Sequence, residues 1–119
     1  ISFDRLPSAA KSYIETNFPG ESASFVTKDD DLIRPDYTVV MANGIKMEFD
    51  HSGALTQISS PDGIPAEQIP VSVRNYVKAH YPDAKILQYE VGRKTYEVKL
   101  SNRMELKFNS RFNVIEVDD

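Results

Sequence analysis

Six apolar and turn residues near the start of the chain, Leu6, Pro7, Tyr13, Ile14, Phe18 and Pro19, recur 63 positions later as Ile69, Pro70, Tyr76, Val77, Tyr81 and Pro82. Further along the offset becomes 59, and Tyr37, Val39, Met41, Asn43, Ile45, Met47 and Phe49 return as Tyr96, Val98, Leu100, Asn102, Met104, Leu106 and Phe108. A chain that reuses its apolar and turn positions in order is expected to fold as two versions of one unit. We read these as residues 6–58 and 69–117 joined by 59–68, the first version carrying four extra residues. Almost no polar group with catalytic potential recurs, so the pattern speaks for architecture before activity.

Each unit should open with a helix. Ala10, Tyr13, Ile14 and Phe18 follow the i, i+3, i+4, i+8 spacing of one helical face, and Val73, Tyr76, Val77 and Tyr81 repeat it. Pro7 and Pro70 suit a first helical turn, where the missing amide proton is not needed. Pro19 and Pro82 push Phe18 and Tyr81 out of the α region and limit each helix to about three turns.

Strands should follow. Short candidates run around Ala23–Thr27 and Ile86–Val91, and then Tyr37, Val39, Met41, Ile45, Met47 and Phe49 alternate, all on odd positions. Directly opposed residues must point the same way, so Met41 pairs with Ile45 and Val39 with Met47. That leaves Ala42, Asn43 and Gly44 as a three-residue loop with Gly44 left-handed in a bulged turn. A two-residue Asn-Gly turn would set Met41 against Lys46 and mix the faces. In the second unit the same register opposes Glu97 to Lys107 and Lys99 to Glu105, favourable pairs on a solvated sheet face. Leu55 with Ile58, and Val114 with Val117, break the alternation by one position, which predicts a bulge in each final strand.

Two units of about 50 residues would each be marginal alone, so one domain over residues 1–119 is expected. Its predicted class is α+β: a helix plus four antiparallel strands, twice, fused into one roughly eight-stranded sheet with the helices on one face. The 14 basic and 18 acidic residues give a formal charge of -4, the wrong sign for binding nucleic acid through its phosphates. No apolar run reaches the ~20 residues of a membrane-spanning helix. Cysteine is absent, which removes disulfides, thiolate nucleophiles and Cys-based zinc sites. The sequence starts at Ile1 rather than methionine, and we expect that an upstream segment was removed, an export signal being one reading of it.

The ordered motifs Leu6-Pro7, Phe18-Pro19, Tyr37 to Val39 and Phe49 to Gly53, then Ile69-Pro70, Tyr81-Pro82, Tyr96 to Val98 and Phe108, resemble the PepSY-like family over nearly the whole chain. The resemblance implies tandem helix-plus-sheet modules akin to the β-lactamase inhibitor protein fold, exported to the periplasm or surface of Gram-negative bacteria. It also implies inhibition or regulation, because PepSY modules occur in the propeptides of secreted metallopeptidases. The β-lactamase inhibitor protein has disulfides and uses an acidic residue at a hairpin tip. This chain has no cysteine, and its tip reads Ala42-Asn43-Gly44.

Candidate sites are few. Asp29, Asp30 and Asp31 lie in the extra segment and read as a partner-contact loop or a solvated strand end, since three consecutive aspartates lack the alternating spacing of a calcium loop. Asp50, His51 and Ser52 hold the letters of a hydrolase triad, but neighbours on a tight turn cannot form a nucleophile, base and orienter chain, so this is a turn. His51 and His80, without cysteine, do not make a transition-metal site. The tyrosines Tyr13, Tyr37, Tyr76, Tyr81 and Tyr96 sit at core spacing, and Tyr89 is the exception, taken as a surface candidate.

No catalytic, cofactor or metal site is therefore assigned. The leading expectation is a non-catalytic exported module that binds a protein, as an inhibitor or regulator of a periplasmic or secreted enzyme. Its candidate contacts are Asp29, Asp30, Asp31, Thr38, Asn43, Gly44, Glu48, Tyr89, Glu97, Lys99, Asn102 and Arg103. The alternative is a small-ligand or cation-binding protein that uses the acidic loop of the first unit.

Overall fold

A computed structural model describes residues 1–29 and 33–119. The fold is α+β, with two helices and one eight-stranded antiparallel sheet whose strands follow chain order among the described residues. The chain divides into two compact units, Ile1–Ile58 and Ser59–Asp119. In the first, a 3-10 turn at Phe3–Arg5 precedes helix α1 (Ser8–Asn17) and strands β1 (Ala23–Asp29), β2 (Asp36–Met41), β3 (Lys46–Phe49) and β4 (Leu55–Ser59). In the second, a 3-10 turn at Ala66–Gln68 precedes helix α2 (Val71–His80) and strands β5 (Ile86–Val91), β6 (Thr95–Leu100), β7 (Glu105–Asn109) and β8 (Val114–Asp118).

Prolines bound both helices. Pro7 and Pro70 occupy the N-cap, one position earlier than a first-turn placement, and their carbonyls accept from Lys11 N (3.1 Å) and Arg74 N (3.0 Å). At the other end Phe18 (φ -132, ψ 56) and Tyr81 (φ -138, ψ 64) have left the α region ahead of Pro19 and Pro82. Their amides still donate to Ile14 O (2.8 Å) and Val77 O (2.7 Å) and close the last turn.

Each helix packs on the apolar face of its own unit. Ala10 and Ile14 of α1 are buried along with Val39, Met41, Met47 and Phe49, and the Tyr13 ring stands edge-on to Phe49 at 5.9 Å. Burial pushes the Tyr13 hydroxyl up to about 12, so this phenol is a neutral packing group at any ordinary pH. In the second unit Val73 and Val77 are buried with Val98, Leu100, Leu106 and Phe108, and Tyr76 stands edge-on to Phe108 at 5.7 Å. Each fully buried aliphatic side chain of this kind contributes roughly 1.5–3 kcal/mol.

The hairpins keep the register that the alternation demands. Tyr37 faces Phe49 and Val39 faces Met47, Met41 N donates to Ile45 O (2.8 Å), and Gly44 N donates to Met41 O (3.0 Å) with Gly44 at φ 92. In the second unit Leu100 N donates to Met104 O (2.9 Å) and Arg103 N to Leu100 O (3.1 Å), with Arg103 at φ 73. The backbone path is the same, but a side chain occupies a conformation that costs roughly 1–2 kcal/mol outside glycine. The expected cross-strand pairs form, Glu97 to Lys107 at 3.5 Å and Lys99 to Glu105 at 3.7 Å, and Lys107 also reaches Glu116 on β8 at 3.3 Å. The register of β7 with β8 shifts where Lys107 faces Glu116 but Phe108 faces Val114, which is the bulge the broken alternation predicted for the second unit.

The Asp50 turn carries no triad. Asp50 Oδ1 accepts from Ser52 N (2.9 Å), Ser52 Oγ (2.6 Å) and Ala54 N (3.0 Å), so the serine hydroxyl is spent on the aspartate as a turn clasp. Asn109 builds the same turn, its Oδ1 accepting from Arg111 N (2.9 Å) and Asn113 N (3.0 Å). The left-handed residue is Gly53 (φ 89) in one turn and Phe112 (φ 62) in the other. Gly53 has a second reason to lack a side chain. A Cβ there would lie 2.9 Å from Ala10 N and 2.9 Å from Pro7 Cβ, so this turn sits hard against the start of α1.

Gly53→Ala combines left-handed strain with overpacking and is expected to lower stability by about 2–4 kcal/mol, read from urea midpoints at constant m. A loss within experimental error would show that the start of α1 yields freely. The Asp50 carboxyl is held below its ordinary value of 3.8, first by the Ser52 hydroxyl and then by the Ala54 and Ser52 amides. A depressed folded pKa contributes stability that is present above the unfolded value and lost as pH falls through the folded one. Asp50→Asn keeps the acceptor oxygen, as Asn109 does. It should lower the midpoint slightly at pH 7, where the contribution of the ionised carboxylate is lost, and make the loss of stability below pH 3.8 shallower than in the wild type.

Candidate functional site

In the first unit the strand face turned away from α1 is built in cross-strand rows. Phe25 faces Val40, which faces Lys46, and Thr27 faces Thr38, which faces Glu48. Asp29 closes the face opposite Asp36. Phe25 is 66% exposed, whereas Val40, Thr38 and Glu48 beside it are half-buried. A phenylalanine in water next to a valine and two threonines forms a patch that is cheap to dehydrate, with Glu48 and Lys46 to orient whatever covers it.

Phe25 was not among the residues expected at a site, and its orientation explains why. The register of β1 with β2 slips between Ala23, opposite Met41, and Phe25, opposite Val40. The slip inserts one residue and turns Phe25 from the core side to the solvent side. The corresponding slip in β5, between Ile86 and Gln88, corrects the reading of Tyr89 as a surface residue. Tyr89 lies opposite Val98 on the core side, is only 5% exposed, and runs parallel to Tyr96 at 6.1 Å, with Phe112 stacked beyond Tyr96 at 4.8 Å. It has no ring face to offer a partner.

Of the other expected contacts, Thr38 and Glu48 stand directly opposite one another on the outer face. Asn43 and Gly44 lie at the far end of the same hairpin from Asp29, about 17 Å away by strand rise. Asn43 is committed to structure: its Nδ2 donates to Glu21 Oε1 (2.7 Å) and its Oδ1 accepts from Ile45 N (3.1 Å). Asn102 Oδ1 likewise accepts from Met104 N (3.0 Å), beside exposed Arg103. Asp30 and Asp31 lie outside the described residues, so the acidic loop is represented by Asp29 alone.

The outer face of the second unit differs in character. Glu90, Glu97, Lys107 and Glu116 form one cross-strand row, and Lys99 and Glu105 belong to the next. Glu116 first, and Glu97 after it, raise the pKa of the Lys107 ammonium. Covering this face would strip water from several charges at once, so it is a poorer contact surface than its counterpart around Phe25. The histidines bring no chemistry together. His80 stacks on Tyr76 at 4.1 Å, His51 sits on the exposed Asp50 turn, and no group of three metal-binding side chains occurs among the described residues.

The family model of PepSY-like proteins, described as candidate beta-lactamase-inhibitor-like, matches residues 35–116. Three solved structures share the fold at full length. A candidate calcium-regulated periplasmic protein from Bacteroides thetaiotaomicron is 37% identical with a TM-score of 0.93, the match covering 100% of this chain and 94% of that one. A candidate periplasmic protein of the DUF2874 family from Bacteroides vulgatus is 38% identical with a TM-score of 0.90, over 100% and 94%. A candidate periplasmic protein of unknown function from the same species is 29% identical with a TM-score of 0.89, over 99% and 95%. No curated protein matches. No helix among the described residues is long and apolar enough to cross a membrane, and the chain shares the periplasmic location of these relatives. With a family match over most of its length and two full-length relatives above one-third identity, the chain belongs to the PepSY-like family.

Proposed function

We infer that this is a non-catalytic periplasmic module that binds a protein, and that the partner is an enzyme whose activity it restrains. The observation that carries the reading is Phe25, an aromatic 66% exposed on a sheet face whose neighbours Val40, Thr27 and Thr38 are uncharged. Aromatic anchors within a polar rim supply most of the energy at protein interfaces. Asp29, Thr38 and Glu48 are the rim residues of this surface, with Asp36 and Lys46. The family's beta-lactamase-inhibitor-like description favours an enzyme as the partner. The Ser52 hydroxyl that stands beside the Asp50 carboxylate is held as part of a turn clasp, with Asp50 Oδ1 also accepting from two backbone amides, which favours binding over catalysis. In an affinity capture from periplasmic and secreted fractions, the wild-type chain should enrich one enzyme and lower its activity on titration, and Phe25→Ser should lose both effects. Equal capture and equal inhibition by the variant would remove this face from the interaction.

A second reading is a divalent-cation site at the acidic end of the first unit. Asp29 stands opposite Asp36, a like-charge pairing that a cation would relieve, and one relative is described as calcium-regulated. Calcium at millimolar concentration should then raise Tm through mass action, magnesium should raise it less, and Asp29→Ser with Asp36→Ser should abolish the shift. A Tm that ignores calcium, or rises equally in the double variant, would exclude the site.

A further inference from the structure

The second unit contains an open cleft of about 540 Å³ between α2, the segment leading into it and the start of β5. That volume falls in the range of small-molecule sites. Its floor is apolar, formed by Ile64, Ile69 and Val77, all less than a tenth exposed. Its rim carries Arg74 and Lys78, one turn apart on α2, and Lys85 from the approach to β5. Arg74 is braced, because its Nε donates to Ile69 O at 3.1 Å and so fixes the guanidinium plane at the cleft wall. Asp62 is the one carboxylate lining the cleft, and among the described residues none of the three cations forms an ion pair with a carboxylate.

Arg74 serves the fold through the Ile69 carbonyl, but nothing in the packing calls for two lysines beside it. Two cations four residues apart on a helix repel one another. Lys78 gains from the C-terminal end of the helix dipole, but Arg74, at mid-helix, and Lys85, beyond it, do not. The first unit has a cleft in the same place, about 510 Å³, lined by Ile14, Phe18 and Pro19, with Glu15 where the second unit has Lys78. The cavity therefore comes with the fold, and the positive rim belongs to the second unit alone.

We propose that the cleft beside α2 binds a small organic anion, a carboxylate carrying an apolar body, with the body on Ile64, Ile69 and Val77 and the carboxylate between Arg74, Lys78 and Lys85. Arg74 offers paired donors in a plane, the geometry that suits a carboxylate, and the two lysines add charge without demanding direction. The site is distinct from the Phe25 face and does not depend on it.

The test is a titration of the full chain with decanoate, followed by amide shifts in ¹H–¹⁵N NMR, with decanol and decylamine as neutral and cationic probes of the same apolar length. Decanoate should saturate and shift the amides of Ile69, Arg74, Lys78 and Lys85. Decanol should bind about tenfold more weakly or worse, and decylamine should leave these amides unmoved. Lys78→Glu with Lys85→Glu, both exposed positions, should lower Tm by a few degrees at most, since Lys78 leaves a favourable place at the helix C-terminus, and weaken decanoate by about tenfold or more. Should that variant melt early, Lys78→Gln with Lys85→Gln takes its place with the same expectation. Decanol binding as tightly as decanoate, shifts confined to other surfaces, no shifts at millimolar decanoate, or indifference to the lysine changes would each overturn the proposal.

Discussion

A strand turns successive side chains to opposite faces, so any loop or bulge that changes the count by one exchanges core for solvent along everything that follows. Both hairpins described above obey that constraint with a three-residue loop whose last residue is left-handed. Gly44 adopts φ 92 freely, but Arg103 adopts φ 73 against its own preference. The comparison shows which effect wins. A shorter loop would relieve roughly 1–2 kcal/mol of strain at Arg103. It would also move Leu106 and Phe108 off the face that they share with Leu100 and that α2 covers, at roughly 1.5–3 kcal/mol for each side chain. Register therefore dictates the loop, and the loop residue bears the strain.

The same logic governs the Asp50 and Asn109 turns. Both use an acceptor side chain to gather two or more backbone amides, and both need a left-handed residue three positions on. In the first unit that residue presses against Pro7 and Ala10, so only glycine fits. In the second it is Phe112, whose ring stacks on Tyr96 at 4.8 Å and so offsets part of its backbone strain. One backbone solution thus accepts opposite side-chain answers, depending on what lies above the turn.

Helices, strand count, hairpin register and the charge pairs of β6 and β7 were readable because they rest on periodicities of 3.6 and 2 that apolar residues report directly. Two residues were misjudged or missed for one shared reason. Tyr89 looks surface-bound and Phe25 looks unremarkable only if β1 and β5 alternate without interruption. A slip after Ala23 and another after Ile86 reverse both. Nothing in the letters Ala-Ser-Phe or Ile-Leu-Gln marks a slip, because the extra residue is dictated by the neighbouring strand. Asn43 is a different case, exposed at its hairpin tip as expected. Its amide looks available at a hairpin tip, but Glu21 and the Ile45 amide already use it. Polar satisfaction of that kind is invisible until the chain is folded.

The places where the two units part company follow from how tightly each position is held. A buried side chain is specified to within about a methylene, since interiors are close-packed and both cavities and overpacking cost stability. Val39 and Val98, or Phe49 and Phe108, are the same residue at the same depth, Ile14 and Val77 differ by one methylene, and Ala10 and Val73 are the wider case at two carbons. An exposed position away from a turn or an ion network tolerates change within about 0.5 kcal/mol. Phe25 stands where the second unit has Gln88, and Glu15 where it has Lys78. Exposed phenylalanine and an unneutralised trio of cations are not what stability selects at such sites, because the first invites association and the second repels itself. The two proposed binding surfaces, the Phe25 face and the cleft beside α2, both rest on residues of this kind. Here they fall on opposite sides of the 3.6 and 2 periodicities, one on a sheet face and one beside a helix.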